Sequence, residues 1–180
     1  MALRRLFLAA ALTTEVRHAV VSRLEGAAVP GRRVDPANWH LTLRFIGEVG
    51  AVEADRLAGS LDQADLGDRF WIRWGSLGAF PRATKATVLW LGLQEGSAEL
   101  VGLASRVETA LLAAGVAAED RPFQPHLTLS RIRPPQDVTT LIETAEPIGV
   151  RMSVEQVLLM ESHLGRGRAR YSLVESFELG

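Results

Sequence analysis

His40-Leu41-Thr42-Leu43 and His126-Leu127-Thr128-Leu129 are one alternation written twice, 86 residues apart in a chain of 180. On a strand, alternate residues share a face, so each copy points its histidine and threonine one way and its leucines the other. With four histidines and ten threonines in the chain, chance yields about 0.2 His-x-Thr spacings. Two copies inside the same leucine frame go well beyond that. The repeat predicts two similar halves, each contributing one such strand, facing each other across a cleft.

The flanking sequence fills in both halves. Leu3–Leu12 reads as a buried strand; its apolar run, Leu6 to Leu12, is seven residues and leads directly into Thr13-Thr14-Glu15. Two arginines, an apolar run and small residues also fit a signal peptide, but a strand feeding a capped helix fits better. Thr13 or Thr14 caps that helix, with Val16, Val20 and Leu24 at helical spacing. Trp39–Ile46 reads as a strand stopping at Gly47, and Val52–Ala64 as an amphipathic helix. Phe70–Leu77 and Thr87–Leu93 read as strands joined through Gly78, Pro81 and Arg82, and Ser97–Ala114 as the longest helix, ended by Gly115. His126–Ile132 is a strand broken by Pro134-Pro135, and Val138–Glu143 is a short helical piece. Val150–Glu161 and Arg168–Glu178 form a closing antiparallel pair around Gly165-Arg166-Gly167. Strands and helices in this order, with adjacent strand pairs, give an α+β fold dominated by antiparallel sheet.

Composition narrows the function. Forty-seven per cent of the chain is hydrophobic and 23% charged, which fits a globular domain and excludes disorder. There is no cysteine, which removes disulfide scaffolds, iron–sulfur clusters and thiol catalysis. The net charge of −1 provides no global field for nucleic acid, so any such contact is local. Of the 20 basic residues only Lys85 is lysine; the arginine excess reads as the background of a GC-rich coding sequence, from which only position can single out individual residues. No other apolar run approaches the ~20 residues of a membrane span, so no membrane association and a cytoplasmic location are expected.

The duplicated motif carries the chemistry. Two imidazoles facing each other suit general acid–base catalysis near neutral pH, one protonated and one neutral. Two hydroxyls between them suit an oxygen-rich group such as phosphate. No metal site is expected, because two histidines without Asp, Glu or Cys in either motif fall short of a three-ligand zinc centre. His18, in the middle of a helix, and His163, near a turn, read as surface residues. Arg44 is expected on the His40 face, either lining the cleft or in a structural salt bridge. Arg166, Arg168 and Arg170 alternate along an edge and could steer RNA or simply be solvated. Phe45 reads as core by alternation, which leaves Phe80 and Tyr171 as candidates for stacking on a base.

The two His-x-Thr motifs resemble those of the 2H phosphoesterases, as do Arg5-Leu6-Phe7-Leu8-Ala9, the run from His40 to Glu48, and Phe80-Pro81-Arg82 through Leu89-Trp90-Leu91-Gly92. The likeness is strongest to the RNA 2′,3′-cyclic phosphodiesterases, historically called 2′-5′ RNA ligases, and extends to the closing Ser172–Leu179 stretch. The resemblance implies a bilobal fold, in which residues 1–180 form a single domain of two intertwined pseudo-symmetric lobes. It also implies metal-independent hydrolysis of an RNA or nucleoside 2′,3′-cyclic phosphate to a 2′-phosphate, with no cofactor. On this sequence His40 would be the proton donor, His126 the proton acceptor, and Thr42, Thr128 and Arg131 the phosphate ligands. Strict alternation puts Arg131 on the wrong face, so its role requires a bulge. Arg44, Phe80 and Tyr171 are further candidates for substrate contact. The expected partner is an RNA 3′ end or a small cyclic nucleotide, met by a monomer. A non-catalytic module for RNA-end phosphates, and 2′-5′ joining as a reverse reaction, stand as the alternatives.

Overall fold

A computed structural model describes residues 3–163 and 169–180. Nine strands form two antiparallel sheets. In chain order the elements are β1 (Arg4–Ala11), α1 (Thr14–Leu24), β2 (Arg32–Arg33), a 3₁₀ turn (Pro36–Asn38), β3 (His40–Val49), α2 (Ala51–Asp62), β4 (Phe70–Phe80), a second 3₁₀ turn (Ala83–Lys85) and β5 (Ala86–Glu95). Then follow α3 (Ser97–Ala113), β6 (Leu127–Gln136), α4 (Thr139–Thr144), β7 (Arg151–Val154), β8 (Gln156–His163) and β9 (Arg170–Glu178). One sheet has the order β3-β1-β8-β9 and the other β2-β6-β5-β4-β7. Each sheet therefore holds one strand of the duplicated motif, and the architecture is the expected bilobal α+β fold.

The apolar start of the chain is an interior strand, paired with β3 on one side and β8 on the other. Leu6, Phe7, Leu8, Ala9 and Ala10 are all buried, each large side chain contributing about 1.5–3 kcal/mol by leaving water. Thr13 caps α1, its hydroxyl accepting from the Val16 amide at 3.4 Å, and Val16, Val20 and Leu24 pack inward. Leu57 and Leu61 of α2, with Leu100, Val107 and Leu111 of α3, join the same core. Among the described residues no helix is long and apolar enough to cross a membrane.

Several boundaries differ from the sequence reading: β4 does not end at Leu77 but runs through Gly78, which pairs with Trp90, to Phe80. β3 does not stop at Gly47: that residue takes φ +95°, and Ile46 is the extra residue between the pairs Phe7–Phe45 and Leu6–Gly47, so glycine absorbs a bulge and the strand continues. Pro134-Pro135 does not end β6. One residue of β5 faces four of β6 between the pairs Val88–Arg131 and Ala86–Gln136, so the prolines loop out where no amide donor is needed. Val150–Glu161 is not one strand. It divides at Glu155, with β7 pairing β4 in one sheet and β8 joining β1 and β9 in the other. The turn around Gly165-Arg166-Gly167 lies outside the described residues, as do Arg166 and Arg168.

Candidate active site

β3 and β6 lie against each other, and between the two sheets is a cleft of about 990 Å³ lined by His40, Thr42, His126, Thr128 and Arg131. Leu41, Leu43, Leu127 and Leu129 are buried behind them. The alternation thus works as the sequence suggested, with leucines fixing the strands and polar groups turned to the cleft.

Both imidazoles are held in the same way. His40 Nδ1 donates to the Asn38 carbonyl at 2.7 Å, and His126 Nδ1 donates to the Gln124 carbonyl at 2.8 Å. A carbonyl only accepts, so each Nδ1 carries the proton and each Nε2 is the ring nitrogen left without that bond. An aromatic edge fixes each ring from the side. Tyr171 meets His40 at 5.3 Å and 86°, and Phe80 meets His126 at 5.1 Å and 88°. Phe7 lies 4.8 Å from His40 and Trp90 lies 6.3 Å from His126. Phe80 and Tyr171, considered above for stacking on a base, line the cleft while packing edge-on against the two histidines. Asn38 and Gln124 went unnoticed in the sequence, and Phe7 and Trp90 entered only within the stretches that carry the family resemblance, with no role at the histidines. The signal for the first two was their shared place two residues before each histidine.

A bulge reorders each strand just past its threonine. Leu43 is the extra residue between the pairs Ala9–Thr42 and Leu8–Arg44, and Leu129 between Trp90–Thr128 and Leu89–Ser130. Each bulge flips the alternation beyond it. Arg131 therefore comes to the cleft with Thr128, meeting the condition that its role required. Phe45 is not core: it stands 56% exposed at the cleft wall, 5.9 Å from Phe7. Arg44 does not share the His40 face freely. Its Nε donates to Glu108 at 2.8 Å, its Nη2 to the Ala117 carbonyl at 2.7 Å, and Glu119 stands 3.5 Å away. It is a structural salt bridge at the cleft wall, with most of its donors engaged. His18 is exposed; so is His163, which bonds Ser172 at 2.8 Å.

Arg17 of α1 braces the turn before His40, its guanidinium donating to the carbonyls of Pro36 and, at 3.0 Å, Trp39. Burial pushes the His40 imidazole below the ordinary histidine value; the bond to Asn38 opposes this, and the Arg17 charge adds to it. Removing that cation relieves a penalty on the imidazolium, so Arg17→Met raises the pKa of His40 whereas Arg17→Lys, which keeps the charge, does so less. Proton NMR titration of the His40 ring is the check, and an unmoved titration in Arg17→Met would refute the coupling. Among the described residues no three His, Cys, Asp or Glu side chains converge as a metal-ligand set.

A family model described as the 2′-5′ RNA ligase superfamily matches residues 12–166. The chain is 32% identical to the RNA 2′,3′-cyclic phosphodiesterase of Escherichia coli over 183 aligned residues, covering 98% of this chain and 97% of that one. It is 36% identical to the protein of the same name from Aeropyrum pernix, over 67% and 68% of the two chains. Its fold superposes on the crystal structure of E. coli LigT complexed with 3′-AMP with a TM-score of 0.83 and 29% identity, over 99% of each chain.

Proposed function

The chain belongs to the 2′-5′ RNA ligase superfamily, and from that membership we propose that it hydrolyses the 2′,3′-cyclic phosphate of an RNA 3′ end, or of a small cyclic nucleotide, to a 2′-phosphate. The observation that carries this reading is the paired geometry: two histidines, each locked with Nε2 free, and two threonines lining one cleft.

In the proposed reaction His126 Nε2 takes a proton from water as its oxygen bonds to phosphorus. The bond from phosphorus to O3′ breaks, and His40 delivers its proton to that departing oxygen. Thr42, Thr128 and Arg131 donate to the non-bridging oxygens, where charge accumulates. Burial, which pushes the His40 pKa down, favours the neutral imidazole in an empty cleft. A cyclic phosphate anion bound beside it favours the charged form, so substrate itself shifts His40 toward the protonated acid the reaction requires. The chemistry assigns no step to a metal or cofactor. Because both motifs belong to one chain, the site is complete in a monomer, and the absence of cysteine suits a cytoplasmic enzyme. The two lobes act as one domain in this reading, since the cleft requires a strand from each.

Incubation with nucleoside 2′,3′-cyclic phosphates in the presence of a chelator tests the proposal. The expected product is the 2′-phosphate, at a rate the chelator leaves unchanged. A 3′-phosphate product would overturn the roles given to His40 and His126, and binding without turnover would favour a non-catalytic phosphate module.

A further inference from the structure

We propose that Arg32 of β2, opposite Arg131 of β6, seats the internucleotide phosphate next to the reactive end, so that the chain prefers the 3′ end of an oligoribonucleotide to a free nucleoside 2′,3′-cyclic phosphate. This rests on the hydrolase reading above and specifies its substrate.

The first observation is an arrangement unfavourable to the fold by itself. Arg32 and Arg131 are direct partners in the antiparallel ladder, where like charges destabilise the pair. Both are exposed, and among the described residues neither is in an ion pair. The acids of the cleft are occupied elsewhere. Glu108 and Glu119 hold Arg44, Glu119 also meets Arg121, and Asp35 accepts from the Ala37 amide in the 3₁₀ turn. With Arg131 turned to the reactive phosphate, a second phosphate at Arg32 offsets the repulsion between the two guanidiniums.

The second observation is that the backbone carrying Arg32 is held tightly against β6. Gly31, at φ +76°, lies so near β6 that a Cβ on it would meet the Arg131 carbonyl oxygen at 2.5 Å. Ser130 Oγ donates to the Pro30 carbonyl, and the Val34 amide to the Leu129 carbonyl at 2.8 Å. The segment carrying Arg32 is thus fastened to the motif strand on both sides of the arginine. Because Arg131 is three residues past Thr128 and lines the same cleft, an RNA whose end sits between the histidines brings its next phosphate to this edge. A net charge of −1 makes the attraction local.

The test compares a mononucleoside 2′,3′-cyclic phosphate with an oligoribonucleotide ending in the same group, in wild type, Arg32→Ala and Arg32→Glu. Expected is a fall of about tenfold in the ratio of kcat/KM for the oligomer to that for the mononucleotide, the size of one charge-assisted contact. The salt slope for the oligomer should also become shallower by about 0.7. An unchanged ratio overturns the proposal. Fluorescence anisotropy with an oligoribonucleotide carrying a 2′-phosphate end reads the same contact without turnover: lower affinity in Arg32→Ala supports the seat, and equal affinity refutes it. If wild type hydrolyses neither substrate, the hydrolase reading fails while the anisotropy still decides this one.

Discussion

Alanine at His40 or at His126 lowers kcat on a nucleoside 2′,3′-cyclic phosphate by about 10²–10⁴-fold in each case. The physical ground is that one proton must leave water while another reaches the departing oxygen, and among the described residues no other imidazole lines the cleft. With both histidines replaced, the loss should fall short of the product of the single losses, because a group that transfers protons as a pair is already disabled by the first deletion. Residual turnover comes from whatever the threonines and Arg131 contribute by holding phosphate. Steady-state rates are to be read beside thermal melts, since each ring also packs against an aromatic neighbour. A variant that melts normally and keeps full activity would refute the two-histidine mechanism.

The sequence disclosed which side chains share the cleft where local pattern decides structure, and concealed it where strand pairing decides. His40, Thr42, His126 and Thr128 could be read directly, because an alternation of two needs no partner to fix its faces. Phe45 and Arg131 are the informative pair. They occupy the same place in the two copies, three residues beyond the threonine, and the same bulge turns both to the cleft. For Arg131 the need for a bulge could be stated in advance from the role the family implies. For Phe45 nothing asked for one, and alternation placed it in the core. A bulge forms when one strand of a pair carries an extra residue, a property of β1 with β3 or of β5 with β6 that neither segment reveals alone. The division of Val150–Glu161 has the same origin, since only the two sheets competing for it show where it must part. The two halves also differ in what they present there: a ring from one, a guanidinium from the other. That difference is how one motif, used twice, acquires unlike surroundings for its two histidines.

Thr42→Val and Thr128→Val should each lower kcat by about 10–10³-fold, the range bounded above by loss of a preorganised donor to a developing oxyanion. Valine keeps the branched shape that suits a strand and removes only the hydroxyl, so the sheets and the leucine layer behind them stay in place. Each threonine lines the cleft, and among the described residues neither hydroxyl is engaged in a hydrogen bond. A donor not already committed within the protein is available to a phosphate oxygen, and its loss leaves no buried partner unsatisfied. The effect should therefore fall on activity, with the melting temperature little changed. Because charge on the non-bridging oxygens grows as water attacks, the hydroxyl is worth more in the transition state than in the bound substrate, and kcat should fall more than KM rises. Thr→Ser, which restores the hydroxyl without the methyl group, should recover most of the rate. Loss of rate in the serine variants equal to that in the valine variants would show that the threonines serve the strand and not the phosphate.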